Sequence, residues 1–344
     1  MKKITIVSIL VGFLVLLGSC KKTETNTIIQ EYNPPKATLF GTWKVITAGS
    51  NDQYYVFQDD GSNLYYILTE DQNGFRTMGD AAFSATVNQV YLQYVLYNYW
   101  LSNDTLTFAS SSSNMMKFMR VDSPKFTPMT WMGSTMIDRN LAPPRGFSST
   151  NLSFGIQGDF LYPYSVNSGS SYIYQYNTLT EKYVDSLGVS KPATSYFNSG
   201  DLYVGFNGGT FNIYKGNMAS ISSISSNTIS NVLAVSLNSS SGVIYAFNSQ
   251  RRMYTGLANS SFSELFDFST YGVNTVVYYK NDEFLCVKNN RIYRIKISPS
   301  FEVLESYNAP SGVSYYTIST NGTDVWAYGY DSNYSSNRLM KVKF

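Results

Sequence analysis

The sequence predicts an all-β protein of two domains, and three observations predict it. The composition favours strands, the apolar residues alternate between turn signals, and a unit of about 40 residues recurs through the second half. Thirty Tyr and 21 Phe in 344 residues sit among abundant Ser, Asn, Thr and Gly. Aromatic residues suit a pleated surface, and the small polar residues suit the turns between strands. After the first twenty residues no segment carries a helical apolar period over three turns.

Residues 1–20 come first because they decide where the rest works. Lys2 and Lys3 precede an apolar run from Ile4 to Leu17, which stops at Gly18-Ser19-Cys20. A bilayer-spanning helix needs about 20 apolar residues, so this shorter run is expected to be a signal peptide over residues 1–19. Leu17-Gly18-Ser19-Cys20 resembles the lipobox of bacterial lipoproteins. The resemblance implies cleavage before Cys20, a diacylglyceryl group on its sulfur and acylation of its new amino group, so that the membrane becomes a partner. In such lipoproteins an acidic residue after the cysteine can retain the protein at the inner membrane. Lys21 and Lys22 stand here instead, which implies the outer membrane of the cell envelope. Residues 20–38 are polar, contain Pro34-Pro35 and read as a tether.

Charge and side-chain inventory exclude several chemistries. Without Lys2 and Lys3 the chain holds 23 basic and 23 acidic side chains, with no basic stripe of the kind nucleic acid requires. Histidine is absent, which removes Ser-His-Asp and Cys-His mechanisms and most zinc sites. No phosphate-cradling loop appears, and no cofactor or metal is expected. With Cys20 acylated, Cys286 has no intramolecular disulfide partner. Its alternation with Phe284 predicts a buried thiol.

The front domain spans residues 39–122. Alternating segments LFGTWKVI, YYVFQDDGSNLYYIL and YWLSNDTLTFA are punctuated by Asp59-Asp60-Gly61 and Ser102-Asn103-Asp104, as hairpins require. In MMKFMRV the period of two places Met116, Phe118 and Arg120 on one face. Gly41-x-Trp43 on the first strand with Arg120 on the last resembles the small lipocalin-like domain common in Bacteroidetes lipoproteins. That resemblance implies a small lipocalin-like barrel. Stacking of the Arg120 guanidinium on the Trp43 indole, worth about 1 kcal/mol, is expected to plug one end. About 85 residues make a filled interior the expectation over a ligand calyx.

Residues 123–146 carry Pro124, Pro128, Pro143 and Pro144 and read as a linker. Residues 147–344 repeat. Gly158, Gly200, Gly242, Asp282 and Gly322 stand at steps of 42, 42, 40 and 40 residues, each before a strand, with a second aromatic strand following. Four short strands per unit describe a five- or six-bladed β-propeller. The last unit ends after its third strand, so its outer strand is expected from the segment Lys125 to Asp138, or a degenerate sixth blade lies there.

Two candidate sites follow. Asp159, Asp201, Glu283 and Asp324 open the second strand of their repeats, where acids satisfy turn amides. A paired set would instead serve glycoside chemistry. Tyr196, Trp326 and Tyr328 are the candidate ligand-binding aromatics, since Tyr and Trp with nearby amides suit sugar rings. The expected function is an envelope-anchored, non-catalytic binding or interaction module with a glycan or protein partner. The alternatives are a histidine-free carboxylate-based glycoside-active enzyme and a structural subunit of a surface complex.

Overall fold

The computed structural model of the chain describes residues 39–46, 52–58, 64–102, 104–111, 114–121, 137–143, 152–167, 169–206, 208–307 and 309–344. Cys20, the signal peptide, the tether, the Asp59-Asp60-Gly61 turn, and residues 122–136 and 144–151 lie outside these. Among the described residues there are 29 strands and no α-helix.

Strands β1 (Gly41–Val45), β2 (Asp52–Phe57), β3 (Leu64–Glu70), β4 (Arg76–Ala85), β5 (Gln89–Leu92), β6 (Val95–Ser102), β7 (Thr105–Ala109) and β8 (Met115–Arg120) pair in chain order. β8 returns to β1 with Trp43 opposite Arg120, which closes the barrel and leaves no free edge. Gln93 and Tyr94, both at positive φ (45° and 70°), form the two-residue turn that matches the twist between β5 and β6. Aromatic rings pack against one another in the interior. Phe57 packs on Tyr65, Phe83 and Phe108 at centroid distances of 5.5, 5.4 and 5.9 Å, and Phe118 lies 5.0 Å from Phe108.

The second domain is five radial sheets. Blade 1 holds β10 (Gly155–Gln157), β11 (Phe160–Tyr162), β12 (Tyr164–Asn167), β13 (Ser170–Asn177) and β14 (Lys182–Val189). β11 and β12 both pair with β13 and act as one strand broken at Pro163. The Pro163 carbonyl still accepts from Tyr174 N–H at 3.0 Å, but the reciprocal bond lacks a donor. Blade 2 is β15 (Ala193–Asn198), β16 (Asp201–Phe206), β17 (Phe211–Gly216) and β18 (Ile221–Asn227). Blade 3 is β19 (Val232–Asn238), β20 (Val243–Asn248), β21 (Arg252–Gly256) and β22 (Ser263–Asp267). Blade 4 is β23 (Thr275–Lys280), β24 (Glu283–Lys288), β25 (Arg291–Lys296) and β26 (Glu302–Tyr307). Blade 5 joins β27 (Val313–Thr320), β28 (Val325–Asp331) and β29 (Ser336–Val342) to β9 (Ile137–Leu141). The inner strands touch in the order β10, β15, β19, β23, β27 and back to β10, so the ring is closed.

The repeat has a backbone cause. Gly158, Gly200, Gly242, Asp282 and Gly322 all lie in the turn from the first to the second strand of a blade, at φ of 57°, 89°, 72°, 58° and 91°. Four of the five are the residue that adopts this region without strain. The closing strand differs from the expected segment. It runs from Ile137 to Leu141, overlapping Lys125 to Asp138 only at its first two residues, and it fills the outer position of blade 5 rather than forming a sixth blade. Arg139 and Asn140 register against Lys341 and Met340, and the Asn140 carboxamide both accepts from Arg338 Nε (2.7 Å) and donates to Asp331 (2.7 Å).

Candidate functional site

The propeller axis is the usual place to look for a ligand, and here the chain itself fills it. Leu152 to Gly155, leading into β10, reach across the axis to blade 3. Ser153 N–H donates to Leu233 O at 2.9 Å, and Ser153 Oγ accepts from Val235 N–H at 2.8 Å. Phe154 N–H donates to Ser319 Oγ on blade 5 and Gly155 N–H to Ser195 Oγ on blade 2, both at 2.8 Å. Ser236 Oγ accepts from Tyr278 N–H at 2.6 Å and links blades 3 and 4. These hydroxyls stitch neighbouring sheets at the hub while keeping buried amides satisfied. A cavity of about 40 Å³ remains beside them, lined in part by Phe154, Tyr196, Leu237 and Asn321. It admits a few waters, whereas small-molecule sites begin near 300 Å³.

The three candidate aromatics are not presented to solvent. Tyr196, Trp326 and Tyr328 are 5, 3 and 2 % exposed. Tyr196 stacks on Tyr203 at 5.0 Å in the cluster between blades 2 and 3, and burial pushes its phenol well above the ordinary range. Trp326 and Tyr328 pack with Leu141, Phe154, Tyr176 and Leu339 in a separate cluster between blades 5 and 1. The reason is architectural. The second strand of a blade is covered on both faces by its neighbours, so β28 is buried at six of its seven residues and alternation no longer turns every second side chain outward.

The four acids are also apart, one on each of four blades. Asp201 pairs with Lys215 at 2.7 Å, Glu283 with Arg294 at 3.5 Å and Asp324 with Lys341 at 2.9 Å, each cation standing on the third strand of the same blade. Asp159 offers its backbone carbonyl to Thr178 N–H at 2.9 Å. No group of three or more His, Cys, Asp and Glu able to hold a metal occurs among the described residues. Cys286 is 0 % exposed, and burial drives its thiol far above the usual range. A thiol reagent added to chain carrying Cys20→Ser is therefore expected to leave Cys286 unmodified until denaturant is present; reaction in the native state would show an opening that this packing lacks.

At the barrel end, Arg120 Cζ lies 5.6 Å from the Trp43 ring centroid. Trp43 is fully buried, and its Nε1–H donates to Leu39 O at 2.8 Å. Arg120 itself is exposed, so the guanidinium caps the end from outside. A Cβ on Gly41 would come within 3.5 Å of that guanidinium, and Gly41 is at φ 131°, which explains glycine two residues before the tryptophan.

The junction between the domains carries residues that the sequence did not single out. The β3–β4 turn, Asp71 to Phe75, leaves the barrel and inserts into the propeller. Asp71 Oδ1 accepts from Asn73 and Phe75 N–H at 2.9 and 3.0 Å, which shapes the turn. Its Oδ2 pairs with Lys288 of β24. Phe75, 3 % exposed, belongs to the large propeller core, with its ring 5.0 Å from Tyr293 and Lys288 Nζ 4.0 Å from its centroid. An apolar residue closing the polar hairpin DQNGF was the available signal.

Comparisons with known proteins add fold-level likeness only. No family model matches the chain, and no curated protein does. Among solved structures, BamB from Moraxella catarrhalis aligns at a TM-score of 0.31 and 10% identity, over 85% of this chain and 82% of that one. A chain of the Mitotic Checkpoint Complex aligns at 0.37 and 12%, over 85% of each. The N-terminal domain of Nup159 aligns at 0.31 and 10%, over 54% of each chain. A chain of the S. cerevisiae Dbp5 complex with Nup159, Gle1, IP6 and ADP aligns at 0.32 and 10%; this chain spans 56% of its length. The barrel and propeller are established by the sheet topology, independently of these likenesses.

Proposed function

We propose that the chain is a lipid-anchored interaction module of the bacterial outer membrane, non-catalytic, which engages a glycan or protein partner on its outer surfaces. The observation that carries this reading is the occupied hub. Leu152 to Gly155 hydrogen-bond across the axis, the cavity described beside them holds about 40 Å³, and aromatic rings pack inside the barrel, which supports recognition on the exterior. The ion-paired acids on separate blades support the non-catalytic part, because glycoside hydrolysis needs two carboxyl groups about 5 to 10 Å apart across one bond. The anchor part rests on Cys20 at the end of the apolar run.

Metabolic labelling with an alkyne fatty acid is expected to mark the wild-type protein and not the Cys20→Ser variant, which should lose membrane association. Equal labelling of both would overturn the anchor. For the partner, a glycan array probed with the acyl-free chain separates the two classes: reproducible glycan hits assign a sugar, and an empty array assigns a protein.

A further inference from the structure

We propose that Asp71 and Lys288 condense into an amide, a covalent bond between barrel and propeller that the chain forms on its own. The bond is independent of the lipid anchor and of any partner.

The two side chains stand as reactants would. Lys288 Nζ donates to Asp71 Oδ2 across the junction. The amine is confined on several sides. Nζ lies 4.0 Å from the Phe75 ring centroid, and Tyr293, fully buried, packs on the same ring. The Lys288 stem runs beside Gly272, where a Cβ would stand 3.7 Å from Cε. Enclosure separates this pair from the chain's ordinary ion pairs. The lysine side chains of Lys44–Asp52, Lys215–Asp201 and Lys341–Asp324 are 34, 43 and 34 % exposed, against 11 % for Lys288.

The two carboxylate oxygens of Asp71 have different surroundings. Oδ1 accepts from the N–H groups of Asn73 and Phe75, whereas Oδ2 meets the ammonium. Two fixed N–H dipoles on one oxygen stabilise the charge that develops there during acyl transfer. Oδ1 is therefore placed to remain as the carbonyl and Oδ2 to leave.

A proton passes from the ammonium to Oδ2, which gives a neutral amine and a carboxylic acid. The nitrogen lone pair attacks Cγ, and the carbonyl electron pair moves onto Oδ1, where the two N–H groups hold it. A second proton moves from nitrogen to Oδ2. The Cγ–Oδ2 bond then breaks, water leaves, and the pair on Oδ1 restores the carbonyl. One ammonium and one carboxylate become one amide and one water, with no change of oxidation state and no further reagent. Groups held in contact react as if at about 10⁵ to 10⁸ M, which favours condensation over the hydrolysis that prevails between free molecules. The bond closes residues 71 to 288 into one covalent ring, so residues 122–136 no longer join the domains alone.

The test is the mass of the full mature chain, residue 20 onward with Cys20→Ser, measured after denaturation. The chain is expected to be lighter than its sequence by one water. Trypsin is expected to release residues 45–76 joined to residues 281–291, because Lys288 in an amide is no longer cut. Lys288→Arg keeps a cation opposite Asp71 but supplies no amine nucleophile, so this variant should show the full mass and two separate peptides. A parent chain at full mass with separate peptides overturns the proposal. So does a water lost by cyclisation at Asp60-Gly61, which leaves the peptides separate, or a Lys288→Arg chain as light as its parent. The parent's mass decides whether or not the variant folds.

Discussion

Phe75→Ala is expected to cost about 3–5 kcal/mol and to uncouple the two domains in the calorimeter, turning one unfolding transition into two. The ring is nearly inaccessible, stacks edge-on against Tyr293, and lies 5.6 Å from Phe301. Truncation therefore opens a cavity inside the propeller rather than at its surface. The charges around it sharpen the effect. Lys288 is 8 % exposed and meets Asp71 across the junction, so Asp71→Ala would leave a buried ammonium without its carboxylate, at a cost of about 3 kcal/mol or more. A Cβ on Gly74 would lie 3.8 Å from Val303 Cγ2, and Asn73 Nδ2 reaches Thr270 O at 3.5 Å, so Asn73 and Gly74 also face the propeller. A Phe75→Ala chain that still melts in a single transition at the parental temperature would show that the domains are held by something other than this turn.

Trp326→Ala is the second large effect, and its nature separates packing from recognition. The indole is 3 % exposed and sits where blades 5 and 1 meet, beside Leu141 of the closing strand. Its loss is expected to remove about 3–5 kcal/mol and lower the propeller's midpoint by about 10 °C. Tyr328→Phe, which keeps the ring but removes the hydroxyl that Asn337 hydrogen-bonds, is expected to cost only about 1 kcal/mol. If Trp326→Ala instead abolished binding of a glycan while leaving the midpoint in place, the side chain would have to be accessible in a way its packing excludes.

The ring was legible because its turns impose a backbone requirement. Glycine at φ between 57° and 91° recurs where the first strand meets the second in four of the five blades, with Asp282 at 58° in the other, and such positions leave a trace in the amino-acid order itself. The barrel's alternation was equally legible: in β8, Phe118 is buried while Met115, Lys117 and Met119 face out. The same rule misled in the propeller. Tyr278 and Tyr279 are adjacent, and both are buried, because a blade between two others has no solvent face near the hub. Tyr196, Trp326 and Tyr328 fell to that difference, since residue type carries no mark of how many neighbours a sheet has. Asp71 and Lys288, 217 positions apart, share no local pattern, and their meeting follows only from the docking of one domain on the other.

Blade 5 is built from two pieces of chain nearly two hundred residues apart, Ile137–Leu141 and Ser336–Val342. Every other blade is assembled from neighbours in sequence and closes short loops, whereas this seam closes one long loop whose entropy must be overcome all at once. The seam is therefore the last joint to form and the first to breathe, and amide protons of Arg139 and Asn140 should exchange with deuterium ahead of those in the corresponding outer strand of blade 4.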